Sequence, residues 1–476
     1  MVYIIRCTFY EILLGGNKMK KILALLLALA MVFALVACAK QATSAPAAEA
    51  PAAPAAEAPA APAAEAPAAP AGVTELSLWT YPIGNWGDEN TVKAFTDAFE
   101  AKTGIKVNVE FLAYGGDGDN KINTAISANQ APDMVMEGPE RLAVQWGVQG
   151  HMVDLSDMLD DTDKAEINPS TLAAFTIGDG TLTGYPLCMN AHCMAINYTR
   201  FQNAGVADVI DVANRTWTTE GFEKAVKALA ETNDTVAAVF CKDQGGDQGT
   251  RALVNNLYSG KFIDEARTGY QWGSAENVKA LELLKELKGV NFDPAIVGGD
   301  EMKLFRQGVL DMVFCWNISG HKNTDDGNEI GKTLTGDEVL FMNFPTDDGK
   351  VELCGGIWGF GIFDNGDAAR IEASKQFIKF VCDSEMTAEA VKASNFFPAR
   401  TAAEGNDLTG IFEGDDDMNI YNATIMPNLG DYYTITPGFA NVRPLWWQML
   451  QKVEGTADVA ALAADYATQA TATIAG

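Results

Sequence analysis

Histidine is scarce in this sequence of 476 residues, which contains only His151, His192 and His321. Three imidazoles leave few ways to build a histidine metal site or a histidine-based catalytic dyad. Basic residues are also few, since 34 Lys and Arg stand against 63 Asp and Glu, giving a formal net charge of −29. Phosphate binding needs a basic surface that releases counterions, so nucleic acid is not expected as a partner.

Motifs of several catalytic and metal sites are missing as well. The chain has no G-x-S-x-G, no P-loop, no G-x-G-x-x-G and no C-x-x-C. The segment 117–120 (DGDN) hints at calcium, but an EF-hand loop that began there would have Ala128 in place of its bidentate Glu. We therefore expect no catalytic residue, no metal and no cofactor.

An uncharged apolar run follows a basic segment near the N-terminus. Lys18, Lys20 and Lys21 precede residues 22–37, which carry no charge. The run is shorter than the roughly 20 residues of a membrane-spanning helix and is typical of an export signal. Its end, LVAC, resembles a bacterial lipobox, in which the cysteine thiol is acylated and becomes the mature N-terminus. We expect lipid on Cys38 to hold the protein on the extracytoplasmic face of the cell membrane.

The next segment is a low-complexity repeat. Residues 46–69 are three copies of PAAEAPAA. Proline at this density blocks a helix, and nothing in the repeat builds a core. Such linkers extend by roughly 3.1 Å per residue. We therefore predict a solvated tether between the lipid anchor and a folded part that begins near residue 73.

Strand and helix patterns alternate in the rest of the chain. Residues 75–81 (ELSLWTY) form a short strand pattern, and apolar residues recur at helical spacing over 92–99. Ile105, Val107 and Val109 then alternate with polar residues as in a strand. This order predicts an α/β protein with a parallel sheet and helices on both faces. Ligands of such sheets bind at the carboxyl ends of the strands.

Four short stretches carry a resemblance to a known family. They are 131–141 followed by 150–155, then 184–197, 305–316 and 397–400. In order and spacing they resemble the extracellular solute-binding proteins of ABC sugar importers, the family that includes maltose-binding protein. The resemblance covers the signal, the lipobox and nearly all of the globular part. The family usually has Tyr-Asn where Ile196-Asn197 stands, so packing at that strand is expected to differ.

The resemblance implies a two-lobed fold of the type II periplasmic-binding-protein kind, with a hinge and a ligand cleft between the lobes. Chain crossings are expected near 188–194, 355–361 and 410–417. Residues 1–37 are predicted to be the signal peptide, of which 1–18 would be a mis-called extension before Met19, and residues 38–72 are the lipidated cysteine and the linker. The N-terminal lobe is predicted to comprise 73–188 plus 358–412. The C-terminal lobe is predicted to comprise 194–354 plus 416–476.

The resemblance also implies a set of ligand-binding residues. Glu140 and Arg141 align with a sugar-contacting Asp-Arg pair, and Asn190 takes the place of a sugar-contacting Glu. Glu137 stands where the relative has an aromatic residue, so the ligand is expected to differ. One of Trp446 and Trp447 is expected to face the cleft and the other the core. The full predicted set is Tyr81, Trp86, Glu137, Glu140, Arg141, Asn190, Trp316, Trp446 and Trp447.

The implied function is capture of a carbohydrate, expected to be an oligosaccharide, and its delivery to the permease subunits of an ABC transporter. The protein is expected to act as a monomer and not as an enzyme. Two alternatives stay open. One is a lipid-anchored glycoside hydrolase, which needs two carboxylates about 5 to 9.5 Å apart across a cleft. The other is a binding protein for a non-sugar solute such as a polyamine or a peptide.

Overall fold

The structure, a computed structural model, describes residues 72–474 apart from 114–115, 240–245, 294, 297 and 431–435. The predicted export signal, Cys38 and the proline-rich repeat lie outside the described residues. The strands are β1 (Glu75–Thr80), β2 (Lys106–Phe111), β3 (Met134–Glu137), β4 (Tyr185–Ala191), β5 (Cys193–Asn197), β6 (Ala237–Ala238), β7 (Val290–Asn291), β8 (Met312–Trp316), β9 (Val339–Met342), β10 (Gly355–Ile362), β11 (Phe397–Pro398), β12 (Ala402–Ala403) and β13 (Asn406–Asp407).

The α-helices lie between and after these strands. They are α1 (Glu89–Thr103), α2 (Gly116–Ser127), α3 (Pro139–Leu142), α4 (Asp161–Glu166), α5 (Pro169–Phe175), α6 (Tyr198–Asn203), α7 (Thr219–Leu229), α8 (Gly246–Leu257), α9 (Ala275–Glu286), α10 (Gly298–Arg306), α11 (Ile318–Lys322), α12 (Ala368–Cys382), α13 (Thr387–Ser394), α14 (Asp416–Thr424), α15 (Phe439–Val453) and α16 (Val459–Ala472). None of these helices in the described ranges has both the length and the apolar character needed to cross a membrane.

The larger sheet has six strands in the order β11–β4–β10–β3–β1–β2. β1 pairs in parallel with β2 and with β3, whereas β10 runs antiparallel to β3 and β4. The predicted α/β class is confirmed. The expected parallel pairing holds for β1, β2 and β3, whereas β10 and β11, which come from later parts of the chain, enter the sheet in the opposite direction.

Helix α1 shows why the first strand–helix–strand unit folds locally. The Asp88 side chain accepts a hydrogen bond from the backbone N–H of Thr91 at 3.0 Å and caps the helix start. Gly104, with φ of 76°, ends the helix in the left-handed region that glycine adopts without strain. Val92 and Phe99 are buried on one face of the helix, as the spacing predicts.

A smaller sheet has three strands in the order β8–β5–β9, all antiparallel to their neighbours. Buried apolar side chains form two clusters that follow the two sheets. The N-terminal core contains residues from segments 76–188 and 357–396. The C-terminal core contains residues from 191–354 and 418–470, together with Phe397 of β11. Each sheet is thus buried by its own set of helices.

The chain passes between the two sheets within a single residue, His192, which separates β4 from β5. The segment in which the chain crosses back to the larger sheet lies next to His192. The His192 backbone N–H donates to the Cys354 carbonyl at 2.8 Å, and Ala191 pairs with Gly355 of β10. The hydroxyl of Tyr421, on α14, donates a hydrogen bond to the Ala191 carbonyl at 2.6 Å and so stabilises the crossing segments.

Glycine is required in β10 because the strand lies close to β4. A Cβ atom on Gly355 would lie 2.3 Å from the Asn190 carbonyl oxygen. One on Gly359 would lie 2.2 Å from the Tyr185 carbonyl oxygen. The glycines of β10 therefore allow close backbone approach in the six-stranded sheet.

Candidate ligand site between the two cores

Three of the predicted residues lie at one edge of the six-stranded sheet. Tyr81 follows β1, Glu137 is the last residue of β3, and Asn190 is next to last in β4. β1 and β3 are parallel, and β10 runs antiparallel to both β3 and β4, so the three strands end at the same edge. This is the edge at which α/β sheets bind ligands.

An ion-pair network joins Tyr81, Asp119, Glu137 and Arg141 at this edge. Arg141 Nε and Nη2 donate to the two Asp119 carboxylate oxygens at 3.0 and 3.1 Å. Arg141 Nη1 donates to Glu137 Oε1 at 2.8 Å. The Tyr81 hydroxyl donates to Asp119 at 2.7 Å, and the Arg141 guanidinium lies 4.7 Å from the centre of the Tyr81 ring. These contacts fix the planar guanidinium in one orientation.

Glu137 retains one carboxylate oxygen for a further partner. The side chain is 1% exposed, and burial raises its pKa although Arg141 acts in the opposite direction. Oε1 is held by Arg141, whereas Oε2 is buried and has no hydrogen-bond partner among the described residues. A buried carboxyl oxygen in this condition indicates a place where a ligand group can bind.

Glu140 lies beside this network on the short helix α3. Pro139 suits the first position of the helix because its φ is already fixed. A Cβ atom on Gly138 would lie 2.4 Å from Glu140 Oε2, so the absence of a side chain at position 138 leaves room for the carboxylate to fold back over the backbone. Glu140 Oε1 is 3.9 Å from Arg141 Nη1.

The C-terminal core contributes a second group of charges, centred on the buried Asp247 of α8. Arg443 Nε and Nη2 donate to its carboxylate at 3.1 and 2.5 Å, and Arg251 Nη2 lies 3.2 Å from it. Burial works against ionisation, but the two arginines lower the pKa of Asp247. Arg443, about a third exposed, is also within electrostatic range of Glu140 and Arg141. It therefore connects the groups of the two cores.

Asn190 and His192 lie where the chain crosses from the larger to the smaller sheet, and His192 is within electrostatic range of Asp247. Asn190 is fully buried, and neither its Oδ1 nor its Nδ2 has a hydrogen-bond partner in the part of the chain that the structure describes. His192 Nδ1 is in the same condition. Burial lowers the pKa of His192 to about 4, although the neighbouring Asp247 acts in the opposite direction. The imidazole is therefore neutral near pH 7 and offers both a donor and an acceptor.

Three of the predicted aromatic platforms lie inside the cores instead. Trp86 is fully buried, stacks on Phe95 with ring centres 5.3 Å apart, and belongs to the N-terminal core. Trp446 is buried in the C-terminal core and donates to Thr250 Oγ1 at 3.0 Å. Trp316 is 4% exposed in the same core. Core side chains cover these indoles, so Trp86 and Trp316 pack in the cores where stacking on a ligand was predicted, and Trp446 is the member of the Trp446–Trp447 pair that lies in the core.

Trp79, Trp358 and Trp447 are the partly exposed indoles among the described residues. Trp447, next to Trp446 on α15, is half-buried against the C-terminal core. Trp358 is half-buried, stacks on Phe396 with ring centres 4.8 Å apart, and lies over Gly356. Gly356 pairs directly with Asn190, so Trp358 shares a face of the sheet with that amide.

A cavity of about 360 Å³ lies away from these residues. It opens between α1 and α12 and is lined by Phe99, Met158 and Phe380 together with charged residues at its rim. None of the ligand-site residues above lines it. Within the described ranges, no group of three or more His, Cys, Asp or Glu side chains is arranged to hold a metal ion.

Comparison with known sequences identifies the family. The sequence model for bacterial extracellular solute-binding proteins matches residues 94–410. The chain belongs to this family. Such proteins bind solutes without transforming them, which agrees with the expectation of a protein that is not an enzyme. No curated protein sequence matches this solute-binding protein.

Solved structures share its fold. An ABC transporter solute-binding protein from Thermotoga lettingae TMO, bound with α-D-tagatose, is 16% identical with a TM-score of 0.66; the match covers 84% of this chain and 100% of that one. A substrate-binding protein from Listeria monocytogenes, in complex with cycloalternan, is 19% identical with a TM-score of 0.66, covering 85% and 99%. One from Agrobacterium radiobacter K84, in complex with ribitol, is 20% identical with a TM-score of 0.63, covering 85% and 99%. This likeness establishes the periplasmic-binding-protein fold of this solute-binding protein.

Asp119, Asp247 and His192 were not selected from the sequence of this solute-binding protein. The spacing of four between Asp247 and Arg251 on one helix was a usable signal, because such pairs lie on the same helix face. His192 stands two residues after the selected Asn190. Asp119 lies in the segment 117–120 that hinted at calcium, but its role at this site was not visible locally because its partners Tyr81 and Arg141 are 38 and 22 residues away in the chain.

Proposed function

We propose that this solute-binding protein captures a carbohydrate between its two cores and delivers it, chemically unchanged, to the permease of an ABC transporter. The observation that carries the proposal is the position of Arg443. It is held by Asp247 of the C-terminal core and is within electrostatic range of Glu140 and Arg141 at the edge of the N-terminal sheet. Buried polar atoms therefore converge from both cores on one place.

In this proposal the two cores are the lobes that open and close. The N-terminal lobe is 73–188 plus 358–412, and the C-terminal lobe is 194–354 plus 416–476. The paired chain segments around Ala191 and Gly355 are the hinge. The closed form adds Arg443 and His192 to the contacts at the sheet edge, so a ligand that touches both lobes favours closure.

Carbohydrate is the proposed ligand class because the site offers side chains that both donate and accept. The amide of Asn190 and the neutral imidazole of His192 match hydroxyl groups, which also do both. The solved relatives with tagatose, cycloalternan and ribitol carry ligands of this kind.

A lipid on Cys38 is proposed to anchor the protein to the outer face of the cell membrane. The LVAC sequence after the apolar run and the proline-rich repeat support this placement. Metabolic labelling with palmitate should mark the wild-type chain, and Cys38→Ala should abolish the label. A labelled Cys38→Ala protein would contradict the anchor.

Carbohydrate capture is tested by isothermal titration with a panel of sugars, combined with chromatography of the ligand after incubation. We expect binding with no product. Arg443→Met should weaken binding at least tenfold, about 1.4 kcal/mol. Arg370→Met is the matched control, because Arg370 is equally exposed and binds the buried Asp133 before β3, at the opposite end of that strand from Glu137.

Two outcomes would overturn the proposal. Turnover of a glycoside by the purified chain would show a hydrolase. Binding of a polyamine or a peptide with no binding of any sugar would show a carrier for another solute. Equal loss of affinity in Arg443→Met and Arg370→Met would remove the role given to Arg443.

A further inference from the structure

The cavity of about 360 Å³ between α1 and α12 lies at the opposite edge of the six-stranded sheet from the proposed carbohydrate site. Thr103, the last residue of α1, lines it. Lys106 then begins β2, and its backbone N–H donates to the Thr74 carbonyl just before β1. Tyr81 follows the other end of β1, whose six residues span about 20 Å at roughly 3.3 Å per residue. The cavity and the proposed carbohydrate site are therefore separate places.

The cavity has a wall of apolar side chains from the N-terminal core. Phe99, Met158 and Phe380 line it and are at most 8% exposed. The ring centres of Phe99 and Phe380 are 5.5 Å apart, so the two rings form one continuous surface. Small-molecule sites have mostly apolar walls and volumes of roughly 300 to 1,000 Å³. This cavity lies at the lower end of that range, which suits a small ligand with an apolar body.

The charged residues around this wall leave two carboxylates without a cation. The charged lining residues are three lysines and four carboxylates, namely Lys102, Lys375, Lys379, Asp157, Glu372, Asp383 and Glu404. Each lysine already has a carboxylate partner: Lys102 with Glu385 at 3.3 Å, Lys375 with Asp157 at 2.5 Å, and Lys379 with Asp383 at 2.7 Å. Glu372 and Glu404 form no ion pair with a cation that the structure describes, and Glu404 lies beside the carboxylate of Glu385. These carboxylates favour a positively charged ligand over an anion.

One hydrogen-bond acceptor in the cavity also lacks a partner. Gln376 lines the cavity, and its Oε1 is buried with no hydrogen-bond partner in the described part of the chain. Buried polar atoms are almost always hydrogen-bonded in folded proteins, so this oxygen indicates a donor on a ligand. An ammonium group has three donors and no acceptor. The wall already accommodates one such group, because the Lys102 ammonium lies 5.4 Å from the centre of the Phe380 ring.

We propose that this cavity is a second ligand site, which takes a small primary amine with an apolar body. The ammonium group donates to Gln376 Oε1 and is attracted by Glu372 and Glu404. The apolar body covers Phe99 and Phe380. The inference goes beyond the proposed transport function, because the amine binds at the far edge of the sheet and leaves the carbohydrate site free.

The test is isothermal titration of the purified full-length chain with three six-carbon probes that differ only in their polar group. The probes are hexylamine, hexan-1-ol and hexanoate. We expect hexylamine to bind at least five times as tightly as hexan-1-ol, and hexanoate to bind most weakly. Equal affinities, tightest binding of hexanoate, or no binding of hexylamine at millimolar concentration would overturn the inference.

Variants then locate the bound amine. Glu372→Gln combined with Glu404→Gln removes two exposed charges without a change of shape, and should reduce the affinity for hexylamine to that for hexan-1-ol. Glu100→Gln, on the exposed face of α1 and outside the cavity, is the matched control and should leave the affinity unchanged. Equal affinities of the double variant and the control would overturn the role given to the two carboxylates.

Arg443→Met separates this site from the carbohydrate site. Its affinity for hexylamine should equal that of the wild type, because Arg443 does not line the cavity. Loss of hexylamine binding in Arg443→Met would place the amine between the two cores and overturn the inference. Failure of carbohydrate capture leaves these results unaffected, since none of the three probes is a sugar.

Discussion

Replacement of Asn190 by leucine should stabilise the protein while it removes ligand binding. Asn190 is fully buried, and both polar atoms of its amide lack a partner among the described residues. A buried polar atom without a hydrogen bond costs about 1 to 3 kcal/mol. Leucine has the same number of side-chain heavy atoms in the same branching and carries no polar group, so that cost disappears.

We expect Asn190→Leu to raise the free energy of unfolding by about 1 to 3 kcal/mol in the absence of ligand. For a lobe of roughly 200 residues, each kcal/mol corresponds to a rise in Tm of about 2 to 4 °C. Urea titration and calorimetry without ligand measure the gain. Titration of the best ligand should show a loss of at least tenfold in affinity, because the amide no longer bonds to it.

Asn197→Leu is the matched control for this experiment. Asn197 is equally buried, but its amide is fully used: Nδ2 donates to Asp337 at 2.9 Å, and Oδ1 accepts from the Arg200 backbone N–H at 3.2 Å. The same substitution there should therefore lower stability and leave affinity largely intact. The reasoning is refuted if Asn190→Leu lowers the unfolding free energy as much as Asn197→Leu does.

Two further outcomes follow from burial. Burial lowers the pKa of His192 to about 4 in the folded protein, whereas the pKa in the unfolded chain is near 6.5. The neutral His192 therefore contributes fully to the free energy of unfolding above pH of about 6.5, and this contribution is lost as the pH falls toward 4. His192→Gln should remove up to about 3 kcal/mol of that pH dependence, and unfolding profiles parallel to wild type between pH 6.5 and 4 would contradict this. Trp446→Ala should cost about 3 to 5 kcal/mol of stability. Trp447→Ala, at a half-buried position, should cost less in the same urea titrations, and a reversed order would count against the core placement of Trp446.

The secondary structure was largely predictable because its signals are local. At the start of α7 the Thr218 side chain accepts a hydrogen bond from the Gly221 backbone N–H, and threonine is one of the residues that favour such caps. The alternation before and after Val107 likewise predicted β2. The direction of β10 was not predictable, because it depends on which distant segment inserts between β3 and β4.

The site was only partly predictable for a similar reason. Trp86 and Trp446 have side chains that suit a sugar face or a protein core equally well, and only the surrounding packing decides. Asp247 is an ordinary acidic residue in the sequence. It becomes distinctive because folding brings Arg443, 196 residues later, onto its carboxylate.

The two neighbouring chain segments at Ala191 and Gly355 constrain how the proposed lobes move. A two-stranded ribbon bends readily across its flat face, but sliding one strand along the other breaks bonds such as that from His192 to Cys354. In the proposed hinge we therefore expect rotation across the ribbon to be easier than sliding of one lobe along the other. We expect a hinge of this kind to bring Arg443 back within electrostatic range of Glu140 at each closure, so that a transporter recognising the closed form would meet one surface whichever cargo molecule is inside.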